Sequence, residues 1–324
     1  MLCLLAMRDR WLVLVVLGAW LAVAIALLAF DLPLKHDEAR FAVAARGDAS
    51  WLYTAPGTVA LARASLALGL GPRLVCMVAG AGVIVATWWL GRVVFSPRVG
   101  TCAAAVIAGA HPFALASASL LGDLPSAACA VAGIAVVARE LERDDGPSWW
   151  LVACAPAFAA AFYLRYGHAP LLAIVAAAAA CVYRRKLVAR PRVVAATIGA
   201  LAVLLVPHAV ISMRVTGSPL GILELTAAVP GRSYVGAGLV AYLTSNPMSS
   251  FGVLGTPLVV AGLVAAVRPP ERWRGPVFLV AIAIGQVVVL GLHTFAQPRY
   301  IFVATILLVT CGLDAVRRAV PMRV

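Results

Sequence analysis

Two adjacent carboxylates lie just after the first long apolar segment of the chain. They are Asp37 and Glu38, within the stretch KHDEARFAVAARGD at Lys35–Asp48. A carboxylate held beside a low-dielectric bilayer can act as a general base on a hydroxyl group or bind a divalent metal. Charge in such a place in a hydrophobic protein is commonly functional. The alternative is a polar interfacial loop with no chemical role.

A third carboxylate, Asp123, lies in the turn Gly122-Asp123-Leu124-Pro125 between two apolar segments. Pro125 is well placed to begin the following helix. Asp123 could act in chemistry, or it could cap that helix, a role that contributes about 1 kcal/mol. The spacing alone favours neither interpretation.

Cations occur at the same predicted face of the chain. Arg165 and His168 lie in Tyr-Leu-Arg-Tyr-Gly-His, and Arg299 lies in Gln-Pro-Arg-Tyr. A guanidinium can grip two phosphate oxygens at once and stays charged at neutral pH. The alternative for each arginine is to anchor a helix end at the lipid headgroups. A pair of His36 and His168 could bind metal, but a histidine at a helix end is more often a hydrogen-bonded structural group.

The composition places these residues in a polytopic membrane protein. Of the 324 residues, 63% are apolar and 12% are charged, and the mean hydropathy is +0.99. These values exclude a water-soluble globule. Ten apolar segments predict an all-α bundle of about ten transmembrane helices. They are Trp11–Phe30, Leu74–Leu90, Val99–Leu121, Leu124–Val137, Trp149–Leu164, Ala169–Tyr183, Val193–Met213, Phe251–Val267, Val277–Leu292 and Tyr300–Val316.

The basic residues predict the orientation of these helices. With a cytoplasmic amino terminus, 17 of the 26 lysines and arginines fall in cytoplasmic loops and tails. This bias predicts that both termini are cytoplasmic and that the acids and cations above face the extracytoplasmic side. Gly57–Gly71 carries Arg63 at mid-length and is predicted to be a helix lying at the outer interface. We expect one domain over residues 1–324, with outer loops at 31–73 and 214–250.

Other classes of site have little support in the sequence. The net charge of +13 is scattered over the cytoplasmic loops, so we expect no nucleic-acid partner. The seven cysteines have no CxxC spacing and are predicted to be small core residues. No P-loop or GxGxxG motif is present. A divalent cation is therefore the one cofactor to consider, with Asp37, Asp123 and His36 as its candidate ligands.

The order of these motifs resembles that of the C-type glycosyltransferase (GT-C) superfamily. The nearest branch is similar to the protein O-mannosyltransferases and the lipid A aminoarabinose transferases. Each motif is short, so their sequence along the chain carries the resemblance. The motifs are His-Asp-Glu-Ala-Arg-Phe at 36–41, Gly-Asp-Leu-Pro at 122–125, Tyr-Leu-Arg-Tyr at 163–166, Thr-Gly-Ser-Pro at 216–219 and Pro-Arg-Tyr at 298–300.

The resemblance implies transfer of a hexose or pentose from a polyprenyl-phosphate donor at the outer face of the plasma membrane of a bacterium. The acceptor would be the hydroxyl or amine of an unidentified glycan, lipid or protein. Asp37 resembles the family's base, Glu38 would be the reserve for that role, and Asp123 would position the acceptor or a divalent metal. The expected substrate-binding residues are Arg40, Arg165, His168, Arg299 and Tyr300. Within the loop 214–250, the apolar pieces 220–225 and 235–243 are expected to cover the site.

Two other functions remain open from the sequence. A transporter or flippase for a lipid-linked or anionic solute could use the same arginines without chemistry, and a noncatalytic relative could keep only the fold. A transporter would favour inverted repeats and charges near the bilayer centre. The sequence shows neither clearly, and the presence of Asp37, Glu38 and Asp123 together favours an enzyme.

Overall fold

The computed structural model of the protein describes residues 2–29, 36–47, 54–143, 148–227, 235–245, 250–267, 274–294 and 296–319, and every regular element in these ranges is helical. The first half contains α1 (Leu2–Ala29), α2 (His36–Arg46), α3 (Pro56–Ala67), α4 (Leu74–Val94), α5 (Pro97–Gly109), α6 (His111–Ser117), α7 (Asp123–Glu142) and α8 (Cys154–Leu164). The second half contains α9 (Ala169–Val188), α10 (Pro191–Thr216), α11 (Gly221–Ala227), α12 (Ala237–Val240), α13 (Gly255–Val267), α14 (Arg274–His293) and α15 (Phe302–Ala319). Short 3₁₀ turns at Trp149–Ala153, Tyr166–His168 and Pro298–Ile301 precede α8, α9 and α15.

The all-helical membrane fold is confirmed, whereas the number of spans is not. Within the described ranges, seven helices are long and apolar enough to cross a bilayer: α1, α4, α7, α9, α10, α14 and α15. The pair α5 and α6, bent by 68°, makes an eighth if it forms one span. Trp149–Leu164 and Gly255–Ala265 are shorter apolar helices. All ten predicted segments thus contain helix, but ten spans stays a prediction.

The core of the bundle is built around α7 and α15. α7 packs on α4 and α8, and α15 packs on α13, α14 and α5. In α7, 78% of the span is buried inside the protein, compared with 6% in α10. α10 therefore lies at the outside of the bundle, where its exposed valines, leucines and isoleucines can face lipid tails.

Small residues allow the central helices to approach closely. Gly91 of α4 faces Gly100 of α5, and a Cβ added at Gly91 would lie 2.6 Å from the Gly100 Cα. Such backbone contact is typical of helix packing in membranes, where dispersion contacts rather than hydrophobic burial hold helices together.

The segment predicted to be the first outer loop is more helical than the sequence predicts. The interfacial helix expected at Gly57–Gly71 is present as α3, but residues 36–46, expected to be loop, form α2. Asp37 and Glu38 lie in the first turn of α2 and Arg46 lies in its last, an arrangement that complements the helix dipole. Arg63 of α3 donates hydrogen bonds to the carbonyls of Ala44 and Ala45 at the end of α2. The two short helices thereby support each other.

The described part of the second predicted outer loop is also folded. α10 ends at Thr216, and Gly217 follows with a φ of +75°, a left-handed conformation that suits glycine. The Ser212 hydroxyl donates to the Ser218 carbonyl and accepts from the Ile222 amide. These bonds fold α11 back onto the end of α10.

Candidate active site

A cavity of about 660 Å³ opens at one end of the bundle. The start of α2, the start of α7, the α8–α9 junction, the end of α14 and the turn before α15 form its walls. Six of the residues predicted to act in catalysis or binding line it: Asp37, Arg40, Asp123, Arg165, Arg299 and Tyr300. Segments that the sequence assigned to one membrane face thus meet at one end of the fold.

Two arginines and two aspartates form a connected ionic cluster in this cavity. Arg299 Nη2 lies 2.8 Å from Asp37 Oδ2, and Arg299 Nη1 lies 3.9 Å from Asp123 Oδ2. Arg165 pairs with the other oxygen of Asp123. The two positive and two negative charges of this cluster balance.

Tyr300 supports both guanidinium groups. The Arg165 guanidinium carbon lies 4.6 Å from the centre of the Tyr300 ring, and that of Arg299 lies 5.5 Å from it. Cations over an aromatic face are attracted by the ring quadrupole. Withdrawal from water lowers the pKa of Arg165 to about 10, an effect that the neighbouring Tyr300 opposes. Arg165 therefore remains charged at pH 7.

The two aspartates differ in exposure. The side chain of Asp37 is 44% exposed, whereas that of Asp123 is 4% exposed. Both aspartates line the cavity, but a substrate there can reach the side chain of Asp37 more readily than that of Asp123. Asp37 is suited to proton transfer and Asp123 to holding the arginines in place.

Glu38 lies outside the cavity lining and is buried. Both of its oxygens accept hydrogen bonds from Arg73, at 3.0 and 3.1 Å, and Oε1 also accepts from the Leu120 amide at 2.6 Å. These bonds connect α2 to α4 and to the turn before Asp123. The geometry favours a positioning role over the predicted role as reserve base, which stays a prediction.

His168 is likewise buried and does not line the cavity. Its Nδ1 contacts the Ser126 hydroxyl, which donates to the Ala161 carbonyl at 2.7 Å. This contact links the start of α9 to α7 and α8. The geometry favours a structural histidine, and the predicted substrate contact stays a prediction.

The described residues of the cavity form no metal site. The side chain of His36, one predicted ligand, lies outside the described residues. Among the described residues, no three histidine, cysteine, aspartate or glutamate side chains come together to hold a metal. Asp37 and Asp123, the other two predicted ligands, both lie against arginines. No step of a mechanism is therefore assigned to a metal.

The sequence interpretation missed the residues that hold Arg299. Gln297 Oε1 accepts a hydrogen bond from Arg299 Nε at 2.5 Å. The Tyr242 hydroxyl donates to the backbone carbonyl of Gln297 at 3.0 Å and accepts from the backbone N–H of the same residue at 3.2 Å. Gln286 of α14 donates to the Tyr300 carbonyl at 3.1 Å and accepts from the Ala304 amide at 2.8 Å. Gln297 lies beside the Pro-Arg-Tyr motif, and Gln286 is a polar residue within an apolar span. These two positions were the signals in the sequence that could have identified the residues supporting Arg299.

Gly122 permits a close contact beside the cavity. Thr58 of α3 donates to the Leu164 carbonyl at 2.8 Å, next to Arg165. A Cβ at Gly122 would overlap both the Leu164 carbonyl and the Thr58 hydroxyl. Glycine before Asp123 therefore lets α3, α7 and α8 meet behind the ionic cluster.

The second predicted outer loop contributes to the cavity, because Leu223 and Thr226 of α11 line it. Leu223 belongs to the apolar piece 220–225, and the expectation that this piece covers the site stays a prediction. From the second piece, 235–243, Tyr242 acts behind the lining through Gln297. Residues 228–234 lie outside the described residues.

Solved structures of membrane glycosyltransferases have a similar fold. ArnT from Cupriavidus metallidurans bound to undecaprenyl phosphate matches with a TM-score of 0.74 and 18% identity, over 94% of this chain and 59% of that one. The apo form of the same ArnT matches with a TM-score of 0.66 and 17% identity, over 92% and 59%. The archaeal oligosaccharyltransferase AglB from Archaeoglobus fulgidus, in complex with an inhibitory peptide and a dolichol-phosphate, matches with a TM-score of 0.57 and 15% identity, over 85% and 45%. The chain thus spans about three-fifths of the length of ArnT.

Sequence comparison agrees with this fold. No curated protein sequence matches the chain. The family model described as dolichyl-phosphate-mannose-protein mannosyltransferase matches residues 49–211, which is half of the chain and includes Asp123 and Arg165. The chain belongs to this family and hence to the GT-C superfamily of membrane glycosyltransferases.

Proposed function

We propose that the protein transfers a sugar from a polyprenyl-phosphate donor to a hydroxyl or amine acceptor in the 660 Å³ cavity. The observation that carries the proposal is the position of the exposed carboxylate of Asp37, 2.8 Å from Arg299, in a cavity that Arg165 also lines. Family membership supports the reaction class. The undecaprenyl phosphate of the ArnT structure and the dolichol-phosphate of the AglB structure support the donor class.

Arg165 and Arg299 are proposed to bind the phosphate of the donor. The donor is a phosphodiester, and the departing polyprenyl phosphate gains a negative charge when its bond to the sugar breaks. Guanidinium groups already in place stabilise this growing charge more in the transition state than in the bound donor. The Tyr300 ring beneath both cations keeps them directed at one region of the cavity.

Asp37 is proposed to act as the general base. The acceptor oxygen or nitrogen attacks the anomeric carbon, the bond from that carbon to the phosphate oxygen breaks, and the phosphate oxygen keeps the electron pair. Asp37 takes the proton that the acceptor loses. Donor phosphate would compete with Asp37 for Arg299, so donor binding would release the carboxylate for this role.

Asp123 and Glu38 are proposed to position these groups. Asp123 contacts both arginines and is nearly inaccessible to substrate. Glu38 holds the first turn of α2, and with it Asp37, against Arg73 and the Leu120 amide. Neither carboxylate needs to exchange a proton with the acceptor.

The cavity is proposed to open at the extracytoplasmic face, with both termini in the cytoplasm. The excess of lysine and arginine in the opposite loops supports this orientation. It is tested with single cysteines placed at Arg46, near the cavity, and at Arg192, at the other end of the bundle. A membrane-impermeant thiol reagent added to intact cells is expected to label the first and spare the second. The reverse labelling would overturn the orientation.

Transfer of radiolabelled sugar from a panel of polyprenyl-phosphate donors tests the activity. Asp37→Asn is expected to lower turnover at least about a hundredfold, the usual effect of losing a general base. Arg299→Gln is expected to raise the donor KM as well as lower turnover. Glu224→Gln is the matched control, because Glu224 is an exposed carboxylate on α11 that does not line the cavity.

Two outcomes would contradict the proposal. Equal losses in Asp37→Asn and Glu224→Gln would remove Asp37 from the role of base. Absence of transfer from every donor, together with movement of labelled lipid across reconstituted vesicles by the folded protein, would indicate a flippase.

A further inference from the structure

A second cavity lies away from the proposed catalytic site. It has a volume of about 370 Å³ and is formed by the end of α9 and the start of α14. Of the seven described residues that line it, none is acidic and four are cations: Arg184, Arg185, Lys186 and Arg274. The proposed sugar transfer uses none of these residues.

The wall of this basic cavity is held in place by bonds to α7. Tyr183 departs from helical geometry, with φ −116° and ψ 21°, so α9 is kinked where the cations begin. The Tyr183 hydroxyl donates to Glu142 Oε1 at 2.6 Å, and Lys186 Nζ donates to the carbonyls of Glu142 and Arg143 at 3.2 and 3.1 Å. The Glu142 carboxylate is thereby engaged by Tyr183. Arg184, Arg185 and Arg274 are exposed.

The basic cavity and the catalytic cavity lie at opposite ends of the same two helices. Ala169 and Pro170 at the start of α9, and His293 at the end of α14, line the catalytic cavity. Both helices have 20 residues and pack on each other. A helix of that length spans roughly 30 Å, the thickness of the hydrocarbon core. A single lipid molecule therefore cannot place its phosphate in both the catalytic cavity and the basic cavity.

We propose that the basic cavity binds the headgroup of an anionic glycerophospholipid in the leaflet opposite the catalytic site. The cations lie at the membrane ends of two candidate spans, where headgroup phosphates lie. Arginine forks match the oxygens of a phosphodiester, and an anion offsets the mutual repulsion of several nearby cations. Separate interfacial arginines would only anchor their helices, whereas these enclose a cavity between two helices.

Lipid retention by the purified full-length protein tests this inference. The protein is placed in nanodiscs of phosphatidylcholine with a small fraction of phosphatidylglycerol, and co-purified lipid is measured by native mass spectrometry. The double variant Arg184→Gln with Arg185→Gln is expected to bind phosphatidylglycerol about thirtyfold more weakly, roughly fivefold for each arginine removed. Arg274→Gln, on the other helix, is expected to lose about fivefold by itself.

Arg98→Gln with Arg192→Gln is the matched control for the double variant. Both arginines are exposed at the same end of the bundle, at the starts of α5 and α10, and neither lines the cavity. The control is expected to keep wild-type retention of phosphatidylglycerol. A loss equal to that of the cavity variants would show surface attraction without a site and would overturn the proposal.

Two further measurements separate the ligand from other anions and from the catalytic reaction. Inorganic phosphate at millimolar concentration is expected to leave bound phosphatidylglycerol in place. If phosphate displaces the lipid and itself binds in detergent, the site is for a soluble anion and the proposal fails. Because lipid retention is measured without sugar transfer, its failure leaves the proposed enzyme activity standing, and a failure of transfer leaves the lipid site standing.

Discussion

Removal of Arg73 is expected to destabilise the protein strongly, because this side chain faces a buried carboxylate. Glu38 is 1% exposed and Arg73 is 12% exposed, with N–O distances of 3.0 and 3.1 Å. Arg73→Gln leaves the charge of Glu38 in place while removing the cation from beside it. Loss of one member of a buried ion pair costs about 3–5 kcal/mol.

The reverse change is expected to cost less. In Glu38→Gln the amide oxygen can still accept the hydrogen bond from Leu120, and Arg73 is near enough to the surface to reach water. We expect a loss of about 1.5–3 kcal/mol of unfolding free energy, the range for a hydrogen bond to a charged group. In the double variant, Arg73→Gln with Glu38→Gln, neither buried charge remains. Its loss of unfolding free energy should therefore be smaller than the sum of the losses in the two single variants, by about 1–3 kcal/mol.

Thermal unfolding in detergent and sugar-transfer kinetics, measured on the same three variants, test this reasoning. If Glu38 only positions α2, turnover in Glu38→Gln stays within about tenfold of wild type, compared with losses of 10²–10⁴ for a missing general base. A hundredfold loss of turnover in Glu38→Gln, with unfolding temperatures unchanged in both single variants, would refute the structural role. It would restore Glu38 as the base.

Further changes test the support of the arginines. Tyr242→Phe removes both bonds to Gln297, which then holds Arg299 less firmly, and is expected to raise the donor KM about three- to tenfold; an unchanged KM would disconnect Tyr242 from the site. Gly122→Ala forces a Cβ onto the Leu164 carbonyl and is expected to cost about 1–3 kcal/mol of stability in an unfolding assay, and wild-type stability would contradict the close contact. In Arg165→Lys, the burial that lowers the pKa of the arginine should also lower the pKa of the lysine amine, which is below that of arginine even in water. Donor affinity in this variant should therefore fall at a lower pH than in the wild type, as the amine loses its charge; matching pH profiles would exclude Arg165 from donor binding.

The sequence predicted the helical segments well, because each depends on a local run of apolar residues. Every one of the ten apolar segments contains helix. The prediction failed at residues 36–46, where the apolar signal is weak and the helix α2 depends on charges at its ends and on contact with α3. Long helices in lipid are set by composition, whereas short interfacial helices need partners that one sequence does not show.

The site was predictable only through the order of its motifs. Asp37 and Arg299 are 262 positions apart, so no local spacing could pair them. The supports were missed for the same reason: Glu38 and Arg73 are separated by 35 positions, and Tyr242 and Gln297 by 55. An ion pair or hydrogen bond of this range is set by how helices pack, which follows from the whole bundle rather than from either residue's neighbours.

The match to the mannosyltransferase family covers only one half of the proposed machinery. Residues 49–211 contain Asp123 and Arg165, whereas the proposed base Asp37 precedes this range and Arg299 follows it. Arg299 connects the residues inside and outside the matched range, because its guanidinium lies 2.8 Å from the carboxylate of Asp37 and 3.9 Å from that of Asp123. Under the proposed function, a donor phosphate that engages Arg299 would loosen Asp37 while Asp123 keeps Arg165 in place. We therefore propose Arg299 as the residue through which donor binding controls the base, although the family match does not include it.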